Sequence, residues 1–438
     1  MKKRTLFITA AAIALGVGIA AAISQFHNDA PPEMGMPPGG MQGNPPPKPP
    51  GAGTGKTEGT VSSTGILHKD SILTLTDKTF TSNGEDEVAI KVTGGKLILT
   101  NCTINKTGSD SSEEDGTSFF GINSALLTTK GGTTILNEGT ITTDAVGANA
   151  IVAYGGKVIA NKVNIDCSKR LSRGVHATFG GSIIANDVTI STAGDNSSAI
   201  ATDRGGGTVT FNDGKVTVKG KDSAVAYSTG KIIVNGTHAT NEQGEIAVVE
   251  GSNSLQLNDC DITSGDERRG MLILQSGSGD AEGFRGVIQV TGGKLAVHQN
   301  APLVEVATST DGTLALDNVT LDVPSGVLML VDYNKRWNTN SPVGHLILLS
   351  TKGAATYAGN VVADSYGTAT VKVAQNVTWN GAINSDNQAK SASAEIIGNW
   401  NLTNDCHLDT LVIQQGGIVN RNGHNLTYKS LDNNGSLR

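Results

Sequence analysis

Residues 155–165 read GGKVIANKVNI, and residues 180–190 read GGSIIANDVTI. The same frame recurs as GGKLILTNCTI (94–104), GGTTILNEGTI (131–141) and GGTVTFNDGKV (206–216), so that first glycines lie 37, 24, 25 and 26 residues apart. Looser copies follow as GSNSLQLNDCDI (251–262) and DGTLALDNVTL (311–321). A period near 24 residues is the signature of a solenoid, in which one short unit buries its apolar face only by stacking on the next. The long first interval is one unit carrying an insertion, KTGSDSSEEDGTSF (106–119).

Within a unit the apolar positions are two apart: Val158 and Ala160, then Val163 and Ile165. Spacing of two means strand, and the interval of three between the pairs is a phase slip at which the chain turns a corner. Asn101, Asn137, Asn161, Asn186 and Asn212 sit at that slip, and the expectation is that they supply the left-handed backbone of the bend. A further apolar segment precedes each glycine pair, as in NAIVAYGG and RGVHATFGG. Three short strands per turn, joined by parallel crossovers of the usual hand, predict an all-β right-handed parallel β-helix. At ~4.8 Å per coil, roughly 16 coils from residue 60 onward make a rod about 75 Å long.

Composition agrees. Among 438 residues there are 56 glycines but only 8 Phe, 6 Tyr and 3 Trp, so Val, Ile, Leu and Ala must build the core. Charges of 33 against 40, net -7, leave no basic face for a phosphate backbone, and nucleic acid is excluded as a partner. The N-terminus reads as an export signal over residues 1–24: a basic MKKR, an apolar run from Leu6 to Ile23, and small residues at Ala22 and Ser24. Left uncleaved, this run is just long enough to anchor the chain in a membrane. Residues 25–58 hold nine of the 12 prolines and three methionines, and form an extended linker rather than a metal site. The helix repeats are expected over 59–330, with 331–438 continuing the helix toward a cap-like end.

At these residues the chain resembles secreted bacterial β-helix proteins of the adhesin-like, pectin-lyase-like superfamily. The stretches VTWNGAIN (377–384) and GNWNLTNDCHLDTLVIQQGGIVNRNGHNLTY (398–428) resemble the end of pertactin-type autotransporter passengers, although no translocator barrel follows before Arg438. The resemblance implies a rod displayed at the cell surface or released outside the cell, and it implies fold more strongly than ligand.

The candidate chemistry is sparse. Polysaccharide lyases and hydrolases on this fold require clustered carboxylates. Arg173, Arg204, Arg268, Arg269 and Arg285 have no acidic residue at a fixed repeat offset, so no catalytic residue and no cofactor is expected. The acidic stretches GEDE (84–87) and SDSSEEDG (109–116) lack the spacing of a calcium loop and read as solvated insertions, and the eight histidines share no metal spacing. Cys102, Cys167 and Cys260 fall on inward positions and are expected as buried thiols. Tyr154 and Phe179, each just before a glycine pair on consecutive coils, are the candidate ligand-binding residues. Such rings either stack on sugars or form a ladder that simply buries surface. The expected function is that of an adhesin-like rod binding polysaccharide or cell-surface glycan. A carbohydrate-active enzyme and a structural matrix protein are the alternatives.

Overall fold

A computed structural model of the chain describes residues 56–276, 280–307, 310–334 and 341–438. The segments expected as export signal (1–24) and linker (25–58) fall, up to residue 55, outside the described residues. Among the described residues no helix is long and apolar enough to cross a membrane.

The chain winds into a right-handed parallel β-helix. Each coil contributes one strand to a flat 12-stranded sheet and, through most of the helix, a bent pair of strands to a 23-stranded sheet. One such coil runs through Ile151–Tyr154, Lys157–Asn161 and Asn164–Cys167 before Val175–Thr178 begins the next. Every inter-strand pairing in the sheets is parallel and nearly all keep strict register, so like residues stack. Val158, Ile183, Val209, Ile232, Leu255, Ile288 and Leu314 form one inward column. All seven are fully buried in the continuous core, each worth about 1.5–3 kcal/mol of apolar burial.

The corner between the paired strands differs from expectation. Of the five asparagines only Asn101 is left-handed, at φ 50°. In the other four coils the following residue turns the chain: Glu138, Lys162, Asp187 and Asp213, at φ 54–63°. The asparagines instead remain in the strand and hydrogen-bond along the axis. Each side-chain amide donates to the amide oxygen of the coil before: Asn161 to Asn137 at 2.9 Å, Asn186 to Asn161 and Asn212 to Asn186 at 2.8 Å. Asn235 to Asn212 at 2.7 Å and Asn258 to Asn235 at 2.8 Å continue the stack. A primary amide has both donors and an acceptor, which lets one residue type repeat this bond indefinitely.

The bend strand Thr320–Asp322 is the last of its ladder, and Ala355–Ala358 opens a separate five-stranded sheet. A groove of about 470 Å³ separates them, with no charged side chain on its walls. Beyond it, Trp379 and Trp400 stack inside the helix with ring centres 5.0 Å apart, and a second amide stack links Asn380, Asn401 and Asn420. Cys102, Cys167, Cys260 and Cys406 are all buried free thiols, as the inward phase predicts for the first three.

Candidate functional site

The strands of the flat sheet do not alternate. Val88, Leu127 and Val152 point away from the core and yet are buried, clustering with Val61, Ile122, Phe120 and Tyr154. Farther along, Ala224, Val248, Leu272 and Leu274 form a like cluster with Tyr227. Strands apolar on both faces need cover on both faces, and two insertions supply it.

The first is the stretch expected to be solvated. Residues 108–125 fold back over the sheet through a short turn, Gly116–Phe120, with Gly116, Thr117 and Phe119 buried. The turn ends at Gly121, φ 66°, where a Cβ would stand 2.8 Å from Val152, so the backbone rests directly on the sheet. Thr178 Oγ1 donates to the Phe119 carbonyl at 2.9 Å, Arg173 Nη1 donates to Ser118 Oγ at 3.2 Å, and the Arg204 guanidinium lies 3.8 Å above the Phe119 ring. The two acidic stretches do meet here, Ser111 Oγ donating to Asp86 at 2.5 Å and Ser112 Oγ to Glu85 at 3.1 Å. Asp86, however, is paired with Lys56 and Glu114 with Arg170. Among the described residues no group of three or more His, Cys, Asp or Glu is placed to hold a metal ion.

The second insertion follows Met271–Leu274. Asp280 on it pairs with Arg204 at 2.8 Å, and Glu250 beneath it accepts from the Ser276 hydroxyl and, at 2.6 Å, from Tyr227.

Between the insertions lies a cavity of about 260 Å³ walled by Phe119, Arg173, Asp203, Tyr227, Thr229 and Asp280. Its floor is the outer face of the flat sheet. Asp203 pairs with Arg173 at 3.4 Å, but burial outweighs that cation and lifts its carboxyl to about 6, with Asp280 adding in the same direction. Burial, then the Glu250 carboxylate, raises the Tyr227 phenol well above its ordinary range. Thr229 is 3% exposed and its hydroxyl has no hydrogen-bond partner. An unsatisfied buried hydroxyl costs about 1–3 kcal/mol, and here it faces a space that a hydroxylated ligand fits. Glu114, Asp115 and Asp222 also line the walls, so the cavity is acidic and disfavours anionic ligands.

The predicted residues meet Phe120, the chain neighbour of the cavity-lining Phe119. Tyr154 and Phe179 do touch, with ring centres 4.7 Å apart, and Phe120 completes a trio at 5.9 Å and 5.7 Å, lying nearly parallel to Phe179 at 11°. Their backbone positions are not equivalent, because the ladder pairs Tyr154 with Thr178. The pairing offset is 24 before the corner (Tyr154 to Thr178) and 25 after it (Lys157 to Ser182). Phe179 follows Thr178 at this corner, held left-handed at φ 50°, and is 36% exposed. A non-glycine residue in that conformation costs on the order of 1 kcal/mol. Phe120 and Tyr154 are partly buried against the outer cluster and Phe179 is the exposed member of the trio. Partial burial, with Glu58 nearby, raises the Tyr154 phenol.

The arginines are not unpaired. Arg173 meets Asp203, Arg204 meets Asp280, Arg268 meets Asp222 and Asp266, Arg269 meets Glu245 and Glu305, and Arg285 meets Asp311. The partners lie anywhere from 2 to 76 residues away, and no repeat offset could find them. Phe120, Asp203, Thr229 and Asp280 were likewise hidden: each lies in an insertion or on the outer face that an insertion covers. No protein-family model matches the chain, and no curated protein matches it.

Proposed function

We propose that this chain is an exported, adhesin-like rod that binds an uncharged glycan at the Phe120–Tyr154–Phe179 edge and the cavity walled by Phe119, at the cell surface or outside the cell. The observation that carries the reading is that one insertion supplies a ring to each part, Phe119 to the cavity wall and Phe120 to the aromatic trio. Aromatic rings pack on the C–H faces of sugars, and the cavity's Asp203, Asp280 and unpartnered Thr229 hydroxyl suit sugar hydroxyls. This division into an apolar platform and a few convergent polar groups is how small-ligand sites are generally built. Export rests on the N-terminal signal-like segment, and display rests on the likeness to pectin-lyase-like adhesins and pertactin-type passengers. Binding is favoured over turnover because four of the five lining carboxylates, Glu114, Asp203, Asp222 and Asp280, pair with arginines.

A second reading has its own support. A carboxyl near pKa 6 inside a cavity, close to other carboxylates, is what a general acid needs, and so favours a carbohydrate-active enzyme.

One experiment addresses both. The full-length protein is applied to an array of neutral and acidic polysaccharides, and each retained polymer is assayed for new reducing ends and unsaturated products. Retention without cleavage, lost in Phe179→Ala with Tyr154→Ala, supports the binding rod. Cleavage that disappears in Asp203→Asn replaces it with the enzyme, and absence of retention on every polymer defeats both.

A further inference from the structure

The corner that presents Phe179 recurs in every coil where the flat sheet hands the chain to the bent sheet. Two other tyrosines occupy it. Tyr333 follows the flat-sheet strand Val327–Asp332 and Tyr366 follows Asn360–Ala363, and their rings lie 5.0 Å apart at 34°. One carboxylate fixes both turns: Asp364 accepts from the Tyr333 backbone N–H at 2.9 Å through Oδ2, and from those of Tyr366 and Gly367 at 2.9 Å through Oδ1. The pair is thus held in place by its backbone, while Tyr366, 50% exposed, serves no core. Between this pair and the trio, on the same corner, Phe284 is 54% exposed, its carbonyl accepting from the Asp311 N–H at 2.7 Å.

The spacing follows from the topology. Six strand steps in the flat sheet separate Val175–Thr178 from Val327–Asp332, or about 29 Å along the axis at ~4.8 Å per step. A stack of hydrogen-bonded coils holds that distance fixed.

We infer that Tyr333 and Tyr366 form a second sugar platform, and that the ligand is an extended, uncharged polysaccharide lying along the rod axis and engaging both platforms at once. This rests on the glycan-binding reading above and adds the ligand's length and direction. Each platform alone is a small, open surface and binds weakly. A chain long enough to bridge them makes the second contact intramolecular, which raises affinity by about 10²-fold or more, whereas a chain too short to span gains nothing.

The test uses the full-length protein and size-fractionated cello-, laminari- and manno-oligosaccharides, titrated by calorimetry. In at least one series, short members are expected to fill two weak sites, with Phe179→Ala removing one and Tyr366→Ala the other. Members long enough to cover about 30 Å are expected to bind once and about 100-fold more tightly, and either variant abolishes that gain. Both side chains are surface rings, so unchanged circular dichroism confirms folding. If affinity does not depend on length, or if Tyr366→Ala leaves long chains bound as before while Phe179→Ala weakens them, the second platform is refuted and the first stands. No binding by any series overturns both.

Discussion

Replacing Asn186 with alanine removes two bonds of the axial amide stack, because Asn186 donates to Asn161 and accepts from Asn212, both at 2.8 Å. Replacing Asn137, at the end of the same stack, removes only the bond it accepts from Asn161 at 2.9 Å. Each such bond contributes a net 0.5–1.5 kcal/mol, so Asn186→Ala should cost about 2 kcal/mol and Asn137→Ala about 1 kcal/mol. Solenoids unfold in segments and need not be two-state, so the assay is native-state hydrogen exchange of the backbone amides in Gly181–Asn186, alongside urea unfolding followed by circular dichroism. Equal costs for the two variants, within the ~0.5 kcal/mol error of such comparisons, would refute the stack as a stabilising device. Asn186→Asp sharpens the test. A carboxylate there still accepts from Asn212 but has no hydrogen to give Asn161, whereas the protonated acid does. Its folded pKa must therefore lie above the unfolded value of about 3.9, so that its contribution is fully present below that pH and is lost as pH rises through the folded value. An opposite slope would mean that the amides are not bonded as described.

Three other outcomes are expected. Burial pushes the Cys260 and Cys406 thiols up to about 11 and Cys167 up to about 12, so the native protein should not react with a disulfide reagent at pH 8, while denaturant should release four thiols. Asp203, lifted to about 6 mainly by burial from an unfolded value near 3.9, favours folding when protonated; its contribution, at most about 3 kcal/mol, should be present below pH ~4 and lost as pH rises through 6. Asp332 is lifted to about 6 as well, so Asp203→Asn should flatten only part of the decline in urea midpoint between pH 4 and 8. Trp400 is fully buried and its indole N–H donates to the Gly381 carbonyl at 2.9 Å; Trp400→Ala should cost about 3–5 kcal/mol and strip exchange protection first from strands Asn399–Leu402 and Val377–Gly381.

The architecture was legible because a parallel coil imposes the same demand on every turn. Val158, Ile183 and Val209 must all be apolar and all lie at one offset, and a period of two within a period near 24 admits few other folds. Asn137, Asn161, Asn186 and Asn212 were legible as a column but misassigned in role, since the bend and the bond along the axis fall on neighbouring residues; Asn101 stands one position further on and does take the bend. Residue preference pointed the other way, because asparagine tolerates the left-handed backbone better than the Glu138 and Lys162 that adopt it, and the bond along the axis outweighs that preference. A buried serine column, in which the hydroxyls of Ser197 and Ser223 accept from the backbone N–H of Ser172 and Ser197 at 2.9 and 2.8 Å, has no sequence signal for a related reason: serine is common in the surrounding turns.

The candidate site was hidden by the same regularity that revealed the fold. A perfect repeat offers every coil an identical surface, and identical surfaces cannot assemble one acid, one arginine and one ring at a single place. Local chemistry therefore requires a lapse in the repeat. Residues 108–125 and the stretch after Leu274 bring Phe119, Phe120 and Asp280 onto a sheet face that would otherwise be bare, and the left-handed Phe179 places a ring where the adjacent coils have the left-handed glycines Gly155 and Gly205. Such lapses look in the sequence like loops, polar and without period, because the contacts that give them meaning are made across coils 30 to 76 residues away. In a solenoid of this kind the irregular segments are thus where function is to be sought, and the regular ones set the distance between them.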